Sequence, residues 1–141
     1  MLVDEILARI KNKEDLEQIL KEYNWQTFEE FVAWIFQQFN YQTKIHTRFK
    51  YEGKIYEIDV LAEKRNKCFL VECKRWTGKS FAPSRILNAA KKHAQKIKAW
   101  SSQTKKNCEG IIVVLLDLPN EIEGIKIVPI YRLNYFLKTF G

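Results

Sequence analysis

The sequence predicts an α/β fold in which a mixed β-sheet is flanked by helices, and two patterns carry that prediction. An aromatic stripe of helical period is followed at once by three strand-like segments separated by short polar turns, together spanning Phe28 to Arg75. A basic amphipathic segment then leads into the continuous apolar run Ile111-Ile112-Val113-Val114-Leu115-Leu116. Such a run describes a strand buried on both faces.

Taken in order, Leu7, Ile10, Leu16, Ile19, Leu20 and Tyr23 recur at broadly helical spacing between Val3 and Tyr23. With Asn12 as a break, this segment forms one kinked helix or two short ones. Phe28, Phe31, Val32, Ile35, Phe36 and Phe39 then mark one face of a core helix. Thr27 followed by Glu30 reads as a capping box at its start, giving Glu30 a structural task, and Asn40-Tyr41 ends it. Strands are expected over Gln42 to Phe49, Lys54 to Ala62 and Cys68 to Arg75. Glu52-Gly53 and the polar 63–67 link suit antiparallel hairpins.

From Pro83 to Ser101 a helix buries Ile86, Leu87, Ala90, Ala94 and Ile97 and exposes Lys91, Lys92, Lys96 and Lys98. The run from Ile111 to Leu116 belongs in the centre of the sheet, parallel to the strand before that helix. A loop containing Asp117, Pro119 and Asn120 leads to a strand over Ile125 to Pro129 and a short helix over Arg132 to Phe140. The length, 141 residues, with 46% hydrophobic and 13% aromatic side chains, suits one domain. Its parts are expected to be a helical extension over 1–26, a core over 27–116, and a C-terminal strand and helix over 117–141.

The longest apolar run is six residues, so no membrane span is expected. The opening Met1-Leu2-Val3-Asp4-Glu5 carries acids where a secretory signal would carry positive charge, and nothing in it directs export. Cys68, Cys73 and Cys108 match no zinc spacing. They are read as reduced thiols, and the protein as cytoplasmic. The formal net charge is +7, and between Lys64 and Lys106 there are 13 Lys or Arg against one acid, Glu72. That concentration suits a polyanionic partner, because each neutralised phosphate releases counterions.

Chemistry concentrates in Glu57-Ile58-Asp59-Val60-Leu61 and Phe69-Leu70-Val71-Glu72-Cys73-Lys74-Arg75-Trp76. In a strand alternate side chains share a face, so Glu72 and Lys74 project together while Val71 and Cys73 project oppositely. Asp59, on the preceding strand, brings a second carboxylate alongside. Two acids within apolar strands cost stability unless something compensates them, and a divalent cation does so. Magnesium takes one or two carboxylates with waters and substrate phosphate. Lys74 would orient the attacking water or stabilise developing negative charge.

Ile58-Asp59, twelve intervening residues and then Glu72-Cys73-Lys74 resemble the motif of the PD-(D/E)xK nuclease superfamily. The continuation Glu72-Cys73-Lys74-Arg75-Trp76 is similar to its Mrr-like restriction endonuclease branch. Ile58 stands in place of the eponymous proline, and the glycine-rich approach to the aspartate is reduced to Gly53. The resemblance implies a restriction-endonuclease-like α-β-β-β-α-β core over Thr27 to Leu116, with extra N-terminal helices and a C-terminal strand and helix.

It further implies Mg2+-dependent hydrolysis of DNA, with Mn2+ able to substitute. The metal would be held by Asp59, Glu72, the backbone carbonyl of Cys73 and Glu29. Glu29 enters because, in related Holliday-junction resolvases, an acid near the start of the leading helix approaches the metal. It is followed there eleven residues later by a glycine and an aromatic, the interval at which Asn40-Tyr41 follows Glu29. Helix-dipole stabilisation is the plainer reading of Glu29.

Arg75, Trp76, Lys79 and Arg85 would flank the end of the catalytic strand and hold phosphates, with Trp76 either stacking on a base or sugar or capping the core. Arg48 and Lys50 would extend the groove, and Gln95 would face the site from the basic helix. His46 and His93 have no partners at ligand spacing, and both are expected on the surface outside the mechanism. Two alternatives stand beside the endonuclease: a branched-DNA or Holliday-junction resolvase, favoured by a symmetric homodimer presenting two sites, and a nucleic-acid-binding module without chemistry. The small size points to specificity supplied by a second subunit or by DNA structure.

Overall fold

The computed structural model describes residues 2–76, 83–115 and 121–141. Two short helices, α1 (Leu2–Lys11) and α2 (Leu16–Glu22), open the chain. Lys13, in the left-handed region at φ 65°, turns the backbone between them. Val3, Ile6, Ile19 and Leu20 are their buried face.

Helix α3 spans Trp25–Gln37 and buries Phe28, Phe31, Val32, Ile35 and Phe36, as its periodicity requires. Its cap differs from the expected one. Asn24, not Thr27, is the N-cap: its Oδ1 accepts from the Thr27 amide at 2.9 Å and from the Thr27 hydroxyl at 3.0 Å. Asn outranks Thr at that position, and the earlier start adds a turn of helix. Thr27 thereby becomes a buried residue of the first turn, and Glu30 is an exposed side chain with no capping task.

Strands β1 (Gln42–Tyr51), β2 (Lys54–Lys64) and β3 (Lys67–Lys74) form an antiparallel meander. The first turn works because both of its residues, Glu52 at φ 49° and Gly53 at φ 79°, adopt the left-handed conformation that a two-residue hairpin demands. Helix α4 (Pro83–Thr104) carries the chain to β4 (Glu109–Val114), which lies parallel to β3 as expected. A two-residue strand β5 (Glu121–Ile122) then turns back into β6 (Ile125–Pro129), and a 3-10 turn (Ile130–Arg132) leads into α5 (Leu133–Phe140). The sheet order is β1-β2-β3-β4-β6-β5. β4 sits inside it, with Ile111 to Leu115 wholly buried. Leu116 and the expected loop residues Asp117, Pro119 and Asn120 lie outside the described residues.

The two faces are covered by different helices. Val60, Ala62, Phe69, Val71, Ile111 and Val113 pack with α1, α2, α3 and α5. Leu70, Ile112 and Val114 pack beneath α4. On α4, Ile86 and Ala90 are buried as expected, but Leu87 is 37% exposed. Ala94 and Ile97 are half-buried, and Ala99 and Trp100 complete the contact instead.

Cys68 and Cys108 form a disulfide, which corrects the reading of all three cysteines as reduced. The register explains it. Phe69 pairs with Glu109 across β3 and β4, so the residues just before them meet, with Cα atoms 4.6 Å apart. A separation of 40 residues hides that adjacency in the sequence. Cys73 alone stays a free thiol, and the cytoplasmic expectation loses the support it drew from the other two. No described helix is long and apolar enough to cross a membrane.

Candidate active site

The β2 strand breaks its own pleat at Asp59. Ile58 packs on the α4 face and Val60 on the α3 face, although residues two apart on a regular strand share a face. Pairing changes at the same point. The β2–β3 ladder runs from Lys64↔Lys67 to Val60↔Val71 and stops, and the β1–β2 register passes from Ile45↔Val60 to Thr47↔Ile58 without pairing His46 to Asp59. Beyond Val71 the two strands part. The Cys73 amide is then taken by the Asp59 carboxylate, Oδ2 accepting at 2.8 Å. Asp59 is thus fixed in the opening between β2 and β3.

Glu72 enters that opening from the α4 face. Its side chain is 16% exposed, with Oε2 accepting from Lys96 Nζ at 2.7 Å and Oε1 lying 3.8 Å from Lys74 Nζ. Glu72 and Lys74 therefore do project together, as alternation on β3 requires. Burial pushes the Glu72 carboxyl up, but the charge and hydrogen bond of Lys96 outweigh it and hold the group below its ordinary value.

His93 lies against the same oxygen, Nδ1 at 3.6 Å from Oε2, but it is a neutral neighbour at pH 7. Burial lowers its pKa to about 4, and Nε2 is committed to the Leu70 carbonyl at 2.8 Å. That makes Nδ1 the bare ring nitrogen, without a hydrogen-bond partner.

Glu29 approaches from α3 and is only 4% exposed. The earlier helix start removes the dipole reading, because Glu29 now lies beyond the first turn, which contains no acid. Its Oε1 is 2.9 Å from His46 Nε2, yet the pair is not aligned as a hydrogen bond, and this buried oxygen has no bonded partner. Burial, opposed by His46 but reinforced by Glu57 and Glu72, raises the Glu29 carboxyl to about 6. Burial first, then the charge of Glu72, pushes Asp59 up to about 7. Three acids that disfavour one another's ionisation are therefore gathered at one point. Cations reach Glu72, but Asp59 and Glu29 keep raised values, a setting suited to a hard cation. Among the described residues no three His, Cys, Asp or Glu side chains form a ready-made metal cage. A hard divalent ion does not need one, since two carboxylates with waters and phosphate oxygens suffice.

Asp59 and Glu72 open into a cleft of about 580 Å³ between β2, β3 and α4, while Glu29 lies outside its lining. Gln95 lines it together with Lys54, Lys92, Lys96 and Lys74. The other expected DNA contacts are not in that lining. Arg48 is exposed on β1, 3.5 Å from Glu57, and Lys50 is exposed opposite Ile55. Arg85 is exposed at the start of α4, Arg75 has its Nε buried, and Trp76 packs as a capping hydrophobe against the cluster of Ile86 and Ala90. Lys79 lies outside the described residues.

Two side chains with a place here, His93 and Lys96, were read otherwise from the sequence, which also gave His46 no partner and Glu57 no role. His93 is 1% exposed, not a surface residue. Lys96 is half-buried on Glu72 rather than solvated, while His46 and Glu57 bond each other at 2.8 Å. The signals existed: Ala89, Lys92, His93 and Lys96 share one helical face, and a two-residue hairpin turn at 52–53 sets His46 opposite Asp59.

A six-stranded mixed sheet with helices on both faces defines an α/β domain with a restriction-endonuclease-like fold. The chain belongs to the nuclease-related domain family, whose model matches residues 16–115. A relative, an uncharacterized protein of Archaeoglobus fulgidus, is 32% identical over 114 residues, covering 80% of this chain and 88% of its own. The small subunit of the heterodimeric restriction endonuclease R.BspD6I has a similar fold, with a TM-score of 0.61 at 10% identity over 89% of this chain and 75% of that one. A crystal structure of a protein of unknown function is also similar, with a TM-score of 0.61 at 19% identity over 74% of this chain; the match takes in 57% of that longer protein.

Proposed function

We propose that this protein is a divalent-metal-dependent endodeoxyribonuclease of the PD-(D/E)xK kind, similar to the Mrr-like branch. One observation carries the reading: Glu29, Asp59 and Glu72 converge where β2 leaves β3, two of them with raised pKa values, in a chain of net charge +7. Membership of a nuclease-related family supports it.

Asp59 and Glu72 would hold Mg2+, or Mn2+ in its place, with Glu29 and the Cys73 carbonyl as further oxygens. When bound, the ion polarises the scissile phosphate and makes a water nucleophilic at neutral pH. Lys74 faces that phosphate and stabilises the charge that grows on its oxygens. Lys96 keeps Glu72 ionised. Lys54 and Lys92 bind flanking phosphates, and Gln95 donates to the backbone from α4. The P–O3′ bond breaks, water supplies the new oxygen on phosphorus, and the products are a 5′-phosphate and a 3′-hydroxyl. Specificity would come from a second subunit or from DNA structure; the R.BspD6I small subunit is itself one part of a heterodimeric restriction endonuclease.

The test is a cleavage panel of linear, circular, branched and single-stranded DNA with Mg2+ or Mn2+. Nicks or breaks should depend on both Asp59 and Lys74. Cleavage that survives Asp59→Ala and Lys74→Ala alike discards the assignment. A strong preference for the branched substrate makes the protein a junction resolvase, and DNA binding without cleavage makes it a binding module.

A further inference from the structure

The metal reading leaves unexplained why β1 distorts at a single histidine. We propose that His46 is a positioning residue that sets the Glu29 carboxylate against Asp59, an inference that rests on the metal-dependent reading above. Three independent features meet at this side chain. Its backbone is left-handed at φ 57°, a conformation uncommon for a non-glycine residue and here set in mid-strand rather than in a turn. It sits opposite Asp59 in the register, at the point where the β1–β2 pairing skips. Both ring nitrogens face carboxylates, Nδ1 at 2.8 Å from Glu57 Oε1 and Nε2 at 2.9 Å from Glu29 Oε1.

The ring is also held in orientation. Trp25, one turn before Glu29 on α3, meets it edge to face at 5.4 Å between centroids. Glu57 and Trp25 fix the imidazole, and the imidazole in turn faces the one buried Glu29 oxygen that lacks a hydrogen-bonded partner. A chain of contacts thus runs from the exposed Glu57 through His46 to Glu29, and so to the opening where Asp59 lies. Partners of this kind, set against a metal-facing carboxylate rather than on the metal, govern its orientation, and removing one costs about 10–100-fold in metal affinity or activity.

A merely structural ion pair would affect folding and leave the site alone, and a double-mutant cycle separates the two. Mn2+ affinity is read by calorimetry and turnover by cleavage of linear DNA, for the wild type, His46→Ala, Glu29→Ala and the pair. His46→Ala should weaken Mn2+ binding and kcat by about 10–100-fold with KM for DNA unchanged. It should cost nothing further in the Glu29→Ala background. His46→Gln, which keeps a donor in reach of Glu29, should recover part of the loss. His46→Asn tolerates the left-handed backbone but is too short to reach Glu29, and should behave as the alanine does.

Wild-type Mn2+ affinity in His46→Ala, or losses that add in the double mutant, would overturn the role of His46. Asp59→Ala run alongside reports on the underlying reading. If it too binds Mn2+ normally, the metal site itself is misplaced, whatever His46 does.

Discussion

Two carboxylate clusters in this protein are built on opposite plans. Near the N-terminus Arg9 joins Glu14 and Glu22, tying α1 to α2 with one cation between two exposed acids. Hydrogen bonds from Arg9 hold both acids below their ordinary values. At the parting of β2 and β3, three acids are withdrawn from water, and Glu29 and Asp59 are pushed up instead. The first arrangement is satisfied as it stands. In the second, cations reach Glu72 through Lys96 and Lys74, Asp59 accepts from the Cys73 amide, and one buried Glu29 oxygen has no hydrogen-bond partner. Like charges gathered under burial oppose folding, so their persistence marks a site where something besides the fold makes use of them.

The largest effect expected from breaking the second cluster is on turnover. Asp59→Ala or Lys74→Ala should lower kcat by about 10²–10³-fold or more in a plasmid-nicking assay, the loss usual for a group that stabilises transition-state charge. Lys96→Ala should follow, at about 10–100-fold. Its signature is the pH profile: without its closest cation the Glu72 carboxyl rises, so the acid limb of the rate moves to higher pH, and Lys96→Arg should move it back.

The third expectation concerns stability and has the opposite sign. Asp59 has a folded value of about 7, above its ordinary 3.8. The stability that its protonated form contributes is fully present below about pH 4 and is lost as the pH rises through about 7. Asp59→Asn should therefore make the metal-free protein more stable at pH 8, by about 0.5–2 kcal/mol, with the advantage vanishing toward pH 4 in urea unfolding curves. The smallest effect belongs to the first cluster. Arg9→Ala should leave cleavage unchanged and lower the melting temperature slightly, since exposed pairs contribute little.

The contrast between the clusters also explains what could be read without coordinates. Periodicity located α3, the three strands of the meander, β4 and β6, because each buries a regular face. Asp59, Glu72 and Lys74 were legible as charges set among apolar strand residues. What escaped were features that depend on irregularity or on contacts across elements. The kink at Asp59 has no signature in a period of two, and the cap at Asn24 moved one turn because two polar residues competed for the same task. Lys96 and His93 look like any surface pair on a helix until α4 is laid across Glu72. The Cys68–Cys108 bridge follows from a parallel register that neither cysteine announces.

The central claim is that the gap between Asp59 and Glu72 holds a divalent cation. Crystals grown with Mn2+ and measured at a wavelength where manganese scatters anomalously locate such an ion directly. A single strong anomalous peak within coordination distance of both carboxylates, absent from Asp59→Asn crystals, is the predicted result. Saturating Mn2+ with no peak there, or a peak only on surface acids such as Glu14 and Glu22, would contradict it.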